Sequence, residues 1–135
     1  FRSIRETHMI RNLLLGVAAL GLMSTAAMAA AAGDAAAGQT IFQARCAACH
    51  TVTADGAPGF TGPNLHGVMG RKSGTGMGFP YSDAMKSAGI TWDAEKVKTY
   101  LAGPPQLVPG GKMAFVGPTD PDDVNNVIAY LTSLK

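Results

Sequence analysis

The sequence predicts an all-α fold of four to five short helices joined by long loops. In four segments the apolar residues recur at spacings of three and four, which is typical of helices that bury one face. Many of the 17 glycines and 8 prolines lie between these segments, as expected of loops. No segment shows the sustained apolar–polar alternation of a half-buried strand. The 135 residues suit one domain.

The first two predicted helices each begin at a residue that favours the N-cap position. Asp34 caps a helix that runs towards Cys46, and Ser82 caps a short helix that stops near Gly89. The periodic positions are Gly38, Ile41, Phe42 and Arg45 in the first helix, and Ala84 and Met85 in the second.

The third predicted helix opens at Thr91 or Asp93. Gly103 and the pair Pro104-Pro105 end it, because proline cannot continue a helix. Its apolar stripe consists of Val97, Tyr100 and Leu101.

The last predicted helix has the clearest boundaries. Thr119 or Asp120 caps it, Pro121 lies in its first turn, and the acidic Asp122 and Asp123 suit the positive end of the helix dipole. Its predicted buried face consists of Val124, Val127, Ile128 and Leu131.

The stretch from residue 51 to residue 80 is mostly predicted loop. A loop of this length is uncommon inside a compact domain. It is understandable if the loop wraps a group that is not protein.

The first thirty residues have the pattern of an export signal. Residues 1–8 show no periodicity and are interpreted as upstream or vector-derived sequence. Residues 9–30 combine Arg11, an apolar run over 13–22 and an Ala27-Met28-Ala29 site, which predicts a cleaved secretory signal peptide. The run is shorter than the ~20 apolar residues of a membrane span. We therefore expect a periplasmic domain over residues 31–135 with no stable membrane insertion.

Without the predicted signal peptide the chain is close to neutral. Three of the 11 Lys and Arg residues and one of the 9 Asp and Glu residues precede residue 31, so eight charges of each sign remain. This balance gives no reason to expect nucleic acid as a partner.

The strongest chemical motif is Cys46-Ala47-Ala48-Cys49-His50. Two thiols at this spacing can each add across a vinyl group of one haem, and the adjoining histidine is then directed at the iron.

Three other kinds of site share part of this pattern. A thioredoxin-like dithiol has the spacing but follows a strand of a βαβ unit, which is not evident here. A structural zinc site needs four ligands, and only His66 is an obvious fourth. A disulfide would leave His50 unexplained. Haem attachment explains all three residues.

The residues alone leave the second axial ligand open. The predicted domain holds Met69, Met77, Met85 and Met113, and methionine usually fills core space. Met113 differs because it lies in a tight Gly- and Pro-containing turn that can present its thioether inward. His66 is the competing ligand.

Five motifs, taken in order, resemble class I cytochrome c of the mitochondrial and bacterial c2-like branch. The resemblance spans residues 38–134. The motifs are Cys46 to His50, Gly62-Pro63-Asn64-Leu65-His66-Gly67, Gly70-Arg71-Lys72-Ser73-Gly74, Gly89-Ile90-Thr91-Trp92 and Pro109-Gly110-x-Lys112-Met113-x-Phe115-x-Gly117.

The resemblance implies a cytochrome c fold around one haem c bound through Cys46 and Cys49. It implies that His50 and Met113 are the axial ligands, and that the Pro63 carbonyl accepts a hydrogen bond from the histidine. The other implied haem contacts are Arg71, Tyr81 and Trp92 at a propionate, Tyr100 beside the methionine sulfur, and Phe115 at the exposed edge with Cys49 and Lys112. It also implies that Gly38 and Phe42 cross the last helix near Tyr130.

The function implied by the resemblance is one-electron transfer by a monomeric, non-enzymatic carrier. The implied partners are membrane redox complexes such as cytochrome bc1 and a terminal oxidase or a photosynthetic reaction centre.

The chain departs from the family pattern at three places. Gly111 replaces a common threonine at a propionate, and Met85 replaces an asparagine of a buried water network. Pro105-Gln106 replaces a pair of lysines near the exposed edge, which weakens the expectation of a basic docking ring.

Overall fold

The computed structural model describes residues 33–115 and 117–135, and these form a helical fold. The predicted signal peptide (9–30) and the residues before it lie outside the described residues. The described helices are α1 (Ala35–Arg45), α2 (Asp83–Ser87), α3 (Ala94–Ala102), α4 (Pro104–Leu107) and α5 (Pro121–Ser133).

Side-chain caps set the beginning of four helices. Asp34, Ser82, Asp93 and Asp120 each accept a hydrogen bond from a backbone N–H in the first turn of α1, α2, α3 and α5. These contacts satisfy donors that the helix itself leaves without partners. The predicted caps at Asp34 and Ser82 are confirmed, and the structure selects Asp93 over Thr91 and Asp120 over Thr119.

The short helix α4 was not among the four predicted segments. Gly103 does end α3, but Pro104 occupies the first turn of α4 instead of simply breaking the chain. Proline is tolerated there because its missing N–H has no partner in a first turn. The Val108 N–H donates to the Pro104 carbonyl and closes this single turn (2.9 Å).

Helices α1 and α5 cross in close contact, and this crossing anchors the N-terminal helix. The Phe42 and Tyr130 rings pack at 5.5 Å between centroids. A Cβ built on Gly38 would overlap the Asn126 backbone carbonyl, so the absence of a side chain at residue 38 permits the approach. The Asp34 N–H also donates to the Asn126 side chain (2.7 Å). The expected crossing at Gly38, Phe42 and Tyr130 is confirmed.

The segment between α1 and α2 is irregular and is held by scattered hydrogen bonds. One isolated antiparallel bridge pairs Lys72 with Thr91. The Gly70 N–H donates to the Trp92 carbonyl (2.7 Å), and the Ser73 N–H donates to the Ile90 carbonyl (2.7 Å). These bonds tie the long loop to the segment that leads into α3.

Every helix except α4 contributes buried hydrophobic residues to the core. They include Phe42, Met85, Val97, Leu101, Val127 and Leu131. Among the helices that the structure describes, none is long and apolar enough to cross a membrane.

Because Gly38 lies against the α5 backbone, we expect a single methyl group added at residue 38 to lower the stability of the protein substantially. We expect Gly38→Ala to destabilise the holoprotein by about 1–3 kcal/mol or more, since the added Cβ forces α1 away from α5. Denaturant unfolding of the haem-loaded protein measures this loss. Gln39→Ala, at an exposed position on the same helix, is the matched control. Equal stability of the two variants would contradict the close crossing.

Candidate functional site

A cavity of about 480 Å³ lies inside the fold, within the ~300–1,000 Å³ range of cofactor pockets. Helices α1, α2, α3 and α5 and the loops before and after them form its wall. The structure brings all ten predicted site residues together on this wall: Cys46, Cys49, His50, Pro63, Arg71, Tyr81, Trp92, Tyr100, Met113 and Phe115.

The two cysteines lie in a tight turn that follows α1. Cys46 is the C-cap residue, and its N–H donates to the Phe42 carbonyl. The Cys46 carbonyl accepts from the N–H groups of Cys49 (3.0 Å) and His50 (2.9 Å). This turn places both thiols and the imidazole on one cavity wall. Burial raises the pKa of the Cys46 thiol above its ordinary value, and nearby Arg45 offsets part of that rise. Both thiols are free of a disulfide.

The His50 ring is held in one tautomer. Its Nδ1 lies 2.8 Å from the Pro63 carbonyl oxygen. A carbonyl can only accept, so Nδ1 carries the proton and Nε2 keeps its lone pair. Burial lowers the pKa of His50, which favours the neutral ring that binds metals, although the Pro63 hydrogen bond acts in the opposite direction. A neutral imidazole with Nδ1 engaged is the usual state of a metal-binding histidine.

The main chain approaches His50 closely at Gly62. A Cβ built on Gly62 would lie 2.6 Å from His50 Cε1 and 2.7 Å from Nδ1, so only glycine fits against this ring. The next residue, Pro63, can therefore bring its carbonyl to hydrogen-bonding distance of Nδ1.

Arg71, Tyr81, Trp92 and Tyr100 form a polar and aromatic part of the wall. Arg71 donates to the backbone carbonyls of Asn64 (2.7 Å) and His66 (3.4 Å). The Tyr81 hydroxyl accepts from a backbone N–H (3.2 Å). The Trp92 and Tyr100 rings pack at 5.1 Å between centroids. Burial raises the pKa of Tyr100 further above neutral, and its protonated hydroxyl can donate a hydrogen bond.

The cavity wall narrows the choice of a second axial ligand. Met113 and Met85 line it, whereas Met69, Met77 and His66 do not. Met77 is 72% exposed, which fits a surface side chain. Met85 lies on α2 and is part of the hydrophobic core. Met113 lies in an irregular segment, where its thioether can turn towards the cavity without disturbing a helix.

The wall has the chemistry that a large, mostly apolar group with carboxylate substituents requires. Most of its side chains are aliphatic or aromatic, and no Asp or Glu is among its lining residues. Arg45, Arg71 and Lys112 supply positive charge for carboxylates. Across residues 33–115 and 117–135, no group of three or more His, Cys, Asp or Glu side chains is placed to hold a bare metal ion. The residues therefore fit a haem better than a zinc ion.

Sequence reasoning missed the role of the Asn64 side chain. Asn64 is 4% exposed, and its side chain forms hydrogen bonds with the backbone of Thr53, Ala57 and His66. Its only signal in the sequence was its place inside the Gly62–Gly67 motif, where an asparagine after proline is also an ordinary turn residue.

Comparison with known proteins gives a consistent result. The family described as Cytochrome c matches residues 35–135. Cytochrome c2 of Rhodoblastus acidophilus is 47% identical over 98 residues, which cover 73% of this chain and 90% of that protein. Cytochrome c2 iso-2 of Magnetospirillum molischianum is 51% identical over 90 residues (67% and 91%). Cytochrome c of the yeast Kluyveromyces lactis is 45% identical over 94 residues (70% and 84%).

Proposed function

The chain belongs to the cytochrome c family, class I, and we propose that it is an exported one-electron carrier whose haem iron is bound by His50 and Met113. Members of this family bind haem c covalently and act as electron carriers with redox partners. The observation that carries the finer proposal is the single cavity wall that holds both thiols, the His50 imidazole and the Met113 thioether.

Cys46 and Cys49 are the proposed attachment residues. Each thiol would add across one vinyl group of the haem, with sulfur bonding to one vinyl carbon and hydrogen to the other, so the attachment would need no oxidant. The tight turn at the end of α1 holds both sulfur atoms on the wall and brings His50 to the same side.

The bound haem supplies an iron that alternates between the ferric and ferrous states. The protein determines which state is favoured. A soft thioether from Met113 favours the ferrous state relative to a second histidine. Apolar side chains such as Leu101, Val127 and Leu131 exclude water from the wall, and this also favours the less charged state.

Two protein ligands leave no open coordination position for a substrate. If His50 and Met113 both hold the iron, the site would support outer-sphere electron transfer, and catalysis at the iron would not be expected. The proposal is therefore a carrier and not an enzyme.

Electrons enter and leave through an exposed edge beside Cys49, Lys112 and Phe115. Cys49 and Lys112 are exposed, Phe115 is half-buried, and all three line the cavity. A partner docked on this edge would lie next to the cavity wall.

The proposed setting is the periplasm, and the proposed carrier is a monomer. The supporting feature is the signal-peptide pattern of residues 9–30. The proposed partners are membrane redox complexes such as a cytochrome bc1 complex and a terminal oxidase or a photosynthetic reaction centre.

Replacing the proposed distal ligand tests the ligation directly. We expect Met113→Ala to abolish the far-red absorbance band of methionine-bound ferric haem and to leave the haem attached, because Cys46 and Cys49 are unchanged. Absorbance spectra of the purified ferric protein measure this.

Met85→Leu, at the other methionine of the cavity wall, is the matched control and should retain the band. Loss of the band only in Met77→Ala would contradict the assignment, and so would its absence from the unmutated low-spin protein, which would favour His66 as the ligand. High-spin haem in the unmutated protein would favour an enzyme.

The balanced charge predicts a weak response to salt. Residues 31–135 carry eight positive and eight negative side chains. We expect the rate of electron transfer with a purified bc1 complex or oxidase to change by less than about threefold as the Debye length falls from about 30 Å to about 8 Å. Stopped-flow kinetics at varied ionic strength measure this rate. A steep fall would contradict this expected weak response and would mean that charge is locally clustered, for example around Lys112 at the exposed edge.

A further inference from the structure

Asn64 is a buried polar side chain that the electron-transfer proposal does not use. It is 4% exposed. Its Nδ2 lies 2.9 Å from the Thr53 carbonyl, 2.9 Å from the Ala57 carbonyl and 3.1 Å from the Thr53 hydroxyl. Its Oδ1 accepts from the His66 N–H (2.7 Å). The side chain therefore joins residues 53 and 57, near the start of the long loop, to residue 66.

These contacts require an amide at residue 64. Nδ2 has two hydrogens and faces two carbonyls, which only accept, while Oδ1 faces an N–H, which only donates. No apolar side chain makes these bonds, and a carboxylate would face carbonyl oxygens. A buried amide with its donors and acceptor engaged holds the surrounding backbone in one arrangement.

Residue 64 is also fixed through its main chain. Arg71 donates to the Asn64 carbonyl (2.7 Å), and the Leu65 N–H donates to the Thr51 carbonyl (2.8 Å). The Asn64 nitrogen belongs to the same planar peptide as the Pro63 carbonyl. Fixing residue 64 therefore fixes the direction of the carbonyl that accepts from His50 Nδ1 at 2.8 Å.

We propose that Asn64 is a positioning residue for the axial histidine. Its side-chain amide orients the Pro63–Asn64 peptide and with it the Pro63 carbonyl. The hydrogen bond from His50 Nδ1 to this carbonyl in turn sets how strongly His50 donates electrons to the iron. This inference rests on the proposed function only in taking His50 as an axial ligand.

The direction of the effect follows from the hydrogen bond. A well-aligned carbonyl on Nδ1–H makes the imidazole a more basic ligand and stabilises the ferric state. Loss of the Asn64 contacts loosens the peptide and weakens that bond. The ferrous state is then relatively more stable, so the reduction potential rises.

The test compares neutral variants of the haem-loaded protein. In Asn64→Ala and Asn64→Leu we expect the equilibrium constant for reduction against a reference couple to rise by about two- to tenfold, the range that the loss of one hydrogen bond produces. We also expect faster solvent exchange of the His50 Nδ1 proton, measured by NMR. Ser73→Ala is the matched control, because Ser73 is a buried polar residue (5% exposed) whose hydroxyl accepts from the Ile90 N–H and which does not line the cavity.

The outcomes separate the two proposals. A raised potential in both Asn64 variants, with the Ser73→Ala potential unchanged, supports the positioning role. Asn64 variants that lose stability but keep the potential and the exchange rate of the unmutated protein overturn it. If the unmutated holoprotein lacks a low-spin spectrum with histidine and methionine ligation, the proposed function itself fails.

Native-state hydrogen exchange on the unmutated holoprotein gives a result even if the variants do not fold. The His66 N–H donates to Asn64 Oδ1, so the exchange rate of this amide proton reports how often the Asn64 hydrogen bonds break. We expect the His66 N–H and the His50 Nδ1 proton to have protection factors within about threefold, since they open as one unit. A His50 proton that stays protected while the His66 N–H exchanges would overturn the inference.

Discussion

The structure depends on a central cavity that its own side chains do not fill. Protein interiors are normally packed about as densely as organic crystals, whereas the core side chains of α1, α2, α3 and α5 line a cavity of about 480 Å³. A domain of about a hundred residues has only a modest core. Haem c, which this family binds covalently, supplies the missing apolar bulk, so the group that carries the electron also completes the fold. The irregular segment over 51–80 contributes to the same cavity, because residues between Thr61 and Phe79 form part of its wall.

The two axial sides of the proposed site are built differently. On the histidine side, the ring is fixed by the Gly62 contact and by the Pro63 carbonyl, and the Asn64 amide anchors that loop to Thr53 and Ala57. On the methionine side, the hydrogen bonds that the structure describes beside Met113 are made by the two residues before it. The Gly111 N–H donates to the Val108 carbonyl (3.0 Å), and Lys112 Nζ donates to the Pro80 carbonyl (2.7 Å). The histidine side is thus fixed through the ring itself, and the methionine side through neighbouring residues of the turn.

Local signals in the sequence were enough to predict most of the fold. The caps at Asp34 and Ser82 and the buried face of α5 depend on nearby residues, so the pattern locates them. The turn α4 was missed because Pro104-Pro105 indicates a break as readily as a first helical turn. The attachment motif and the family resemblance named ten residues that share one cavity. The residues alone did not decide which methionine, or His66, is the second axial ligand, because that depends on where the tertiary structure places each side chain. The Asn64 contacts join loop positions up to 11 residues apart, and no periodicity predicts such pairs.

The proposed ligation would place the iron between the nitrogen of His50 and the sulfur of Met113 in both oxidation states. X-ray absorption at the iron edge tests it most directly, because sulfur and nitrogen neighbours scatter differently and lie at different distances. The proposed ligation predicts that the iron has one sulfur neighbour and otherwise nitrogen neighbours in both the ferric and the ferrous protein. The bond lengths to these neighbours should differ little between the two oxidation states. A first coordination shell of the iron that lacks sulfur in either oxidation state, or a ligand that changes on reduction, would contradict this ligation.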